Sequence, residues 1–354
     1  MKKLIIILAA LALAAAGGAL AWSWLRDNKM PNFGKAGDLY VYPGDTAGEV
    51  MERIVSSNGV VSMESLERSF RAKEVASYIK PGHYYITKSA SSVYVARMLN
   101  NGWQSPVRMT LTGNLRIKAN IAAKIASQLL IDSATVHKAL CDAETLAPYG
   151  VTPTTVFTLL VPDTYDIYWT AGIQDILAKQ KEASDAFWTE ENLSKASRLG
   201  LSRLQASILA SIVSAESNYE PELPLIAGVY LNRLKTGMPL QADPTVAFCF
   251  DYKPQRILRK HLEVDSPYNT YTHTGLPPGP ICVPTRAALE SVLNPDFGGE
   301  WGKGNLYFCA NSDFSGTHAF AKTLSGHNAN AAAFQKELSR RAREKKAQAS
   351  GSVN

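Results

Sequence analysis

The chain has 354 residues, 46% of them hydrophobic and 19% charged, with a net charge of +6. This composition excludes a disordered or fibrous protein and gives enough length for a sizeable core and two domains. The six histidines are scattered and the four cysteines form no C-x-x-C pair, so neither a metal nor a cofactor is expected.

The chain starts MKKLIIILAALALAAAGGALAWSWLRDNKM. Lys2 and Lys3 precede an uncharged apolar run from Leu4 to Trp24, about the ~20 residues that a helix needs to cross a bilayer. The pattern predicts a cytoplasmic N-terminus over 1–3 and a transmembrane anchor over 4–25, with Trp22 and Trp24 at the interface. Ala19, Leu20 and Ala21 also fit a signal-peptide cleavage site, and that alternative stays open. Either way the remaining chain is expected outside the cytoplasm. There Cys141, Cys249, Cys282 and Cys309 could pair or stay as buried thiols.

Residues 26–37 read as a polar linker, and 38–105 as a small module of strands and helices. In the module, LYVYPGDT gives a strand, a turn at Pro43-Gly44-Asp45 and a helix cap at Thr46. A second unit follows, with a turn at Pro81-Gly82, a strand over 83–86 and a helix over 92–99. Tyr40, Tyr42, Gly44, Asp45 and Thr46 resemble the start of a LysM-like domain, which implies binding of an aminosugar polymer; the same residues are also what any turn and cap require. Residues 106–198 form a mixed region, with a helix near 117–130 and an aromatic strand or buried turn in FTLLVPDTYDIYWTAG.

A catalytic domain is expected over 199–346. In LSRLQASILASIVSAES, Leu204, Ile208 and Ile212 recur at four-residue steps, and the next step lands on Glu216. Burial and the negative end of a helix both push such a carboxyl up, toward the protonated state that general acid catalysis needs. The bland alternative is a structural carboxylate paired with a cation. Next, LPLIAGVYLNRLKTGM reads as a helix presenting Asn232 and Arg233 late, with Gly237 at its end. Gln241 and Asp243 precede Pro244, where an extended chain is expected. SPYNTYTHTGLPPGPICVP brings Tyr268, Asn269 and Tyr271 onto a stiff loop. Such amides and phenols suit a carbohydrate site, because sugars offer apolar ring faces and hydroxyls together. Lys336, Arg340, Arg341, Arg343, Lys345 and Lys346 crowd the last predicted helix without interleaved aromatics, so nucleic acid is not an expected partner. A flexible tail is expected over 347–354.

The segments from SIVSAESNYEPE through LQADPTVAF, PYNTY and GLPPGPI to YFCAN and GTHAF, in that order, resemble the endolytic murein transglycosylase family, YceG-like. The resemblance is strong from about residue 199 to 328. It implies a bacterial inner-membrane, single-pass enzyme cleaving the MurNAc-β-1,4-GlcNAc bond of nascent glycan strands, with peptidoglycan synthases as partners. Glu216 matches the family's catalytic glutamate. Ser214 stands where many members carry a second glutamate, which removes a competing carboxylate. Gln241, Asp243, Asn269 and Tyr271 are expected to position the sugar, with Asn232 and Tyr268 behind them. The expected fold is α+β: an N-terminal membrane helix, a LysM-like module and a mixed α/β catalytic domain. A peptidoglycan-binding scaffold and a lysozyme-like muramidase are the competing readings.

Overall fold

A computed structural model describes residues 2–113 and 115–351, with side chains to 344. In chain order the elements are α1 (Lys2–Asn28), β1 (Gly37–Val41), α2 (Ala47–Asn58), α3 (Met63–Ala72), α4 (Val75–Tyr78), β2 (Gly82–Ile86), α5 (Ser92–Asn101) and β3 (Val107–Leu111). Then follow α6 (Lys118–Ala126), α7 (Ser133–Cys141), α8 (Ala143–Leu146), β4 (Asp163–Ile167), α9 (Ile173–Phe187) and α10 (Glu190–Arg198). The last part holds α11 (Arg203–Glu216), α12 (Leu223–Lys235), α13 (Asp243–Cys249), α14 (Arg286–Leu293), β5 (Tyr307–Ala310), β6 (His318–Ala321) and α15 (Leu324–Gly351). The architecture is mixed α/β, with strands in pairs: β1 with β2, β3 with β4 and β5 with β6.

The chain divides into two compact units. The first comprises residues 1–109, 128–131 and 165–172, the second 110–127, 132–164 and 173–354.

In the first unit, β1 and β2 run antiparallel from Gly37 opposite Ile86 to Val41 opposite Gly82, with α2, α3 and α4 between them in sequence. Its core gathers Leu39, Val41, Ile54, Leu66, Tyr84 and Leu99. The Gly44-Asp45-Thr46 stretch forms a turn, with Gly44 at φ 89°, and then a capping box in which Thr46 and Glu49 satisfy each other's backbone amides. Residues 26–37, expected as a linker, are built into this unit. Asp27 takes a bidentate ion pair from Arg68 at 2.8 and 2.9 Å, Asn32 is 1% exposed and Phe33 lies in the core.

The second unit is built around α11. A capping box from Ser202 and Gln205 starts this helix, and every residue from Ala206 to Val213 is buried. The expected apolar stripe is therefore too narrow a description, because the helix is enclosed on all sides and Leu204 lies outside the buried part, 40% exposed. Helices α10, α12, α13 and α14 pack around it. Ser214 accepts the Thr285 amide at 3.0 Å, which ties the end of α11 to the cap of α14. The GLPPGPI loop runs beside α11, where Ile281 donates its amide to Ser211 at 3.0 Å. All four cysteines are free thiols, and Cys282 is buried with its thiol against the Ser211 carbonyl. The tail expected from 347 is helical as far as Gly351; Met1 and residues 352–354 lie outside the described residues.

Candidate active site

Glu216 is the last residue of α11, and Ser217 after it turns to an extended conformation. Its carboxyl accepts a hydrogen bond from the Tyr230 hydroxyl on α12. Glu216 keeps some accessible surface, but crowding withdraws the carboxyl from water and pushes it up to about 7. Burial is the main cause. The nearby Asp243 carboxylate adds to it, while the Tyr230 bond and Arg233 work in the opposite direction.

Tyr230 is 1% exposed, and its ring meets Phe308 of β5 edge-on at 5.9 Å. Burial and the neighbouring Glu216 hold its hydroxyl far above the usual phenol range, so it remains a donor. One helical turn on, Arg233 is 7% exposed, and carbonyl oxygens rather than a carboxylate take its protons: Leu306 at Nε and Leu240 at Nη1, both at 2.7 Å. Sequence reading noted Arg233 only for its place on the helix and gave Tyr230 no role. The four-residue spacing that put Glu216 on a face says nothing of which side chain of the next helix reaches it.

Asp243 does not lie on an extended segment as expected. It opens α13, with Pro244 in the first turn, where a proline lacking an amide hydrogen fits. Gln241 just before it is exposed and held at φ 49°, a left-handed conformation. Thr270 straps the segment down: its carbonyl takes the Gln241 amide and its hydroxyl the Ala242 amide, each at 3.0 Å. That strap places Asp243 beside Tyr271, whose hydroxyl donates to Asp243 Oδ1 at 2.6 Å.

One expected sugar contact and the two residues expected behind the contacts stand elsewhere. Asn269 is fully buried, its amide donating to the Leu262 and Val264 carbonyls at 2.9 Å while its oxygen takes the Tyr271 amide. It shapes the loop that carries Tyr271 and has no surface to offer a ligand. Asn232 is likewise fully buried, donating to the Phe297 and Asn305 carbonyls and accepting from the Gly302 amide. Tyr268 stacks obliquely on Phe248 at 4.6 Å and lines a hollow of about 380 Å³ with Arg116, Tyr252 and Pro280, which Glu216 does not line.

Thus Glu216, Tyr230, Asp243, Tyr271 and Arg233 form one electrostatically linked group, in which an acid near neutrality stands by a second carboxylate. The sequence model of the YceG-like family matches residues 39–333. The chain belongs to that family. The chain is 30% identical over 305 residues to an endolytic murein transglycosylase of Bacillus subtilis, covering 81% of each sequence. A pneumococcal endolytic murein transglycosylase is 29% identical over 91% of this chain, which spans 63% of that relative's length. A crystal structure of a YceG-like protein from Listeria monocytogenes superposes with a TM-score of 0.54 at 25% identity, covering 83% of this chain and 98% of the other.

Proposed function

We propose that this YceG-like protein is an endolytic peptidoglycan lytic transglycosylase that cuts the MurNAc-β-1,4-GlcNAc bond of glycan strands and leaves a 1,6-anhydro-MurNAc end. The observation that carries the reading is a carboxyl pushed up to about 7 with one oxygen held by a buried phenol. Because Tyr230 donates to Oε1, the acidic proton sits on Oε2 and is free for the glycosidic oxygen. Oε2 protonates that oxygen as the C1–O bond breaks. The resulting carboxylate then takes the proton of the muramic C6 hydroxyl, whose oxygen closes onto C1 and restores the acid. No water is consumed, so one carboxylate serves both steps, unlike the pair that glycoside hydrolysis uses.

Asp243, with its Oδ1 fixed by Tyr271, is the group suited to stabilise positive charge developing at C1. Gln241, exposed next to it, is suited to hydrogen-bond a sugar. Asp243 also supports a second reading, lysozyme-like hydrolysis, since it lies near enough to affect the Glu216 carboxyl.

The rest of the chain fits the same reading. The apolar α1 has the length and hydropathy of a single-pass anchor, which would hold the protein at the bacterial inner membrane with its catalytic part outside the cytoplasm. The β1-to-β2 segment, two antiparallel strands flanking helices with exposed Tyr40 and Tyr42, suits a LysM-like glycan-binding module over 38–105. Peptidoglycan synthases are the partners expected of an enzyme that acts on nascent strands. The test is mass spectrometry of fragments released from purified peptidoglycan, with Glu216→Gln alongside. Fragments one water lighter than hydrolytic products, absent with the variant, support transglycosylation; reducing ends support hydrolysis.

A further inference from the structure

The hollow of about 380 Å³ in the second unit takes no part in the chemistry proposed for Glu216. Its walls are held firmly. Tyr252 donates its hydroxyl to the Ile281 carbonyl at 2.6 Å, Leu115 accepts the Val283 amide at 3.0 Å, and Lys118 donates its ammonium to the Pro153 carbonyl at 2.7 Å. The GLPPGPI loop presses so close that a Cβ on Gly279 would stand 2.4 Å from the Thr154 carbonyl oxygen and 2.8 Å from the Tyr268 hydroxyl. These contacts join the chain before α6, the chain after α13 and this loop into one preformed cup.

The charge of the cup is one-sided. Arg116 lies over the Tyr252 ring at 5.0 Å, and among the described residues neither its guanidinium nor the Tyr268 hydroxyl has a hydrogen-bond partner. Lys118 and His137 line the same space, and the single carboxylate on its wall, Asp251, is already paired with Lys253 at 3.1 Å. A guanidinium offers five donors in a planar fork that matches a carboxylate. Phe157, Phe248 and Tyr252 add apolar surface around it. Such a lining fits a carboxylate borne on small apolar groups better than a bare inorganic anion.

The place of the hollow fits a branch of the proposed substrate. Asp243 opens α13, and Phe248 stands five residues later on another face of that helix, about 7.5 Å along its axis. An extended peptide of five residues spans up to about 17 Å. A stem peptide hanging from the muramic residue attacked at Glu216 has the length to reach from one to the other.

We propose that this hollow takes the stem peptide of peptidoglycan, with a peptide carboxylate on Arg116 and alanine methyl groups against Tyr252, Tyr268 and Phe248. The protein then selects its strands by peptide as well as by sugar. The proposal rests on reading the substrate as peptidoglycan.

The experiment uses the full chain in detergent micelles and three forms of the same glycan strands: intact, with the peptide carboxylates amidated, and with the peptides removed by an amidase. Fragment release gives kcat/KM on each form for the wild type, Arg116→Gln and Lys118→Gln. The wild type is expected to favour intact strands over both other forms by about ten-fold or more, as a charged hydrogen-bonded pair allows. Arg116→Gln should bring that ratio close to one, and Lys118→Gln, which leaves Arg116 on Tyr252, should lower it in part. Because the readout is a ratio, a general loss of folded enzyme cancels. Equal wild-type rates on intact and amidated or stripped strands, or a ratio that survives Arg116→Gln, overturns this proposal alone. No products from any of the three forms overturns the functional reading and this proposal with it.

Discussion

Tyr230 reaches back fourteen residues, from the middle of α12 to the end of α11, to donate its hydroxyl to the carboxyl of Glu216. The bond joins two buried helices at the point where one of them stops, and it leaves a single carboxyl oxygen for chemistry. It also opposes burial. A donor stabilises the carboxylate, whereas withdrawal from water and the Asp243 charge stabilise the acid. The value near 7 is the balance of these effects.

Removing the donor should tip that balance in a known direction. Tyr230→Phe deletes a hydrogen bond to a charged group, worth roughly 1.5–3 kcal/mol, so the Glu216 carboxyl should rise by about one pH unit or more. The alkaline limb of kcat/KM against pH should move upward with it, and kcat should fall by about ten-fold as the freed carboxyl loses its orientation. A profile that drops in height without moving would show that Tyr230 only packs.

The raised value has a consequence for stability as well as for rate. Folded Glu216 holds its proton up to about 7, while in the unfolded chain it loses it near the ordinary 4.5. Between those limits the unfolded state binds fewer protons, so wild-type stability falls as pH rises. Glu216→Gln carries no such penalty. It should abolish activity, and its stability advantage over wild type should grow between these two pH limits by at most about 3 kcal/mol, then level off. Denaturant titrations at acid and alkaline pH measure this; an advantage independent of pH would contradict the assignment.

Asp243→Asn should act on Glu216 with the opposite sign to Tyr230→Phe. Loss of the negative neighbour lowers the Glu216 carboxyl, so the alkaline limb should shift toward acid. The rate should fall by about 10²-fold if Asp243 stabilises charge at C1. Residual products should still be anhydro sugars. Complete loss, together with reducing-end products from the wild type, would make Asp243 a base for water. Tyr271→Phe, which frees Asp243 from its hydroxyl partner, should give a milder version of the same loss.

What sequence reading reached and what it missed divide along a physical line. Period-four spacing and turn residues are local, so α11 ending at Glu216, the cap at Thr46 and the strand before it were all legible. Proline before a helix is ambiguous, since it restrains the preceding residue and also suits the first turn, and Asp243 went to the second outcome. The long-range bonds were not legible. Asn232 and Asn269 have the side chains of sugar binders, yet carbonyls far along the chain or across a loop had already claimed them. Polar composition cannot separate an amide that faces a ligand from one that closes a loop. The supposed linker failed for the same reason, because Asp27 and Asn32 find partners more than twenty-five residues away.

That distinction is itself open to test at Asn232. Its three bonds bind α12 to the 297–305 segment, and the residue just before that segment passes so close that a Cβ on Gly228 would stand 1.9 Å from the Asp296 carbonyl oxygen. Asn232→Ala leaves the partly buried Asn305 carbonyl and Gly302 amide without this partner, while the Phe297 carbonyl keeps the Asn305 amide, and should cost about 2–4 kcal/mol. Gly228→Ala meets backbone that cannot yield and should cost about 3 kcal/mol or more. Both losses appear in denaturant unfolding. Below the lowered melting point, the surviving folded Asn232→Ala should keep the wild-type pH profile and nearly the wild-type KM, because the residue touches structure and not sugar. A KM raised about ten-fold in a stably folded variant would return Asn232 to the substrate contacts.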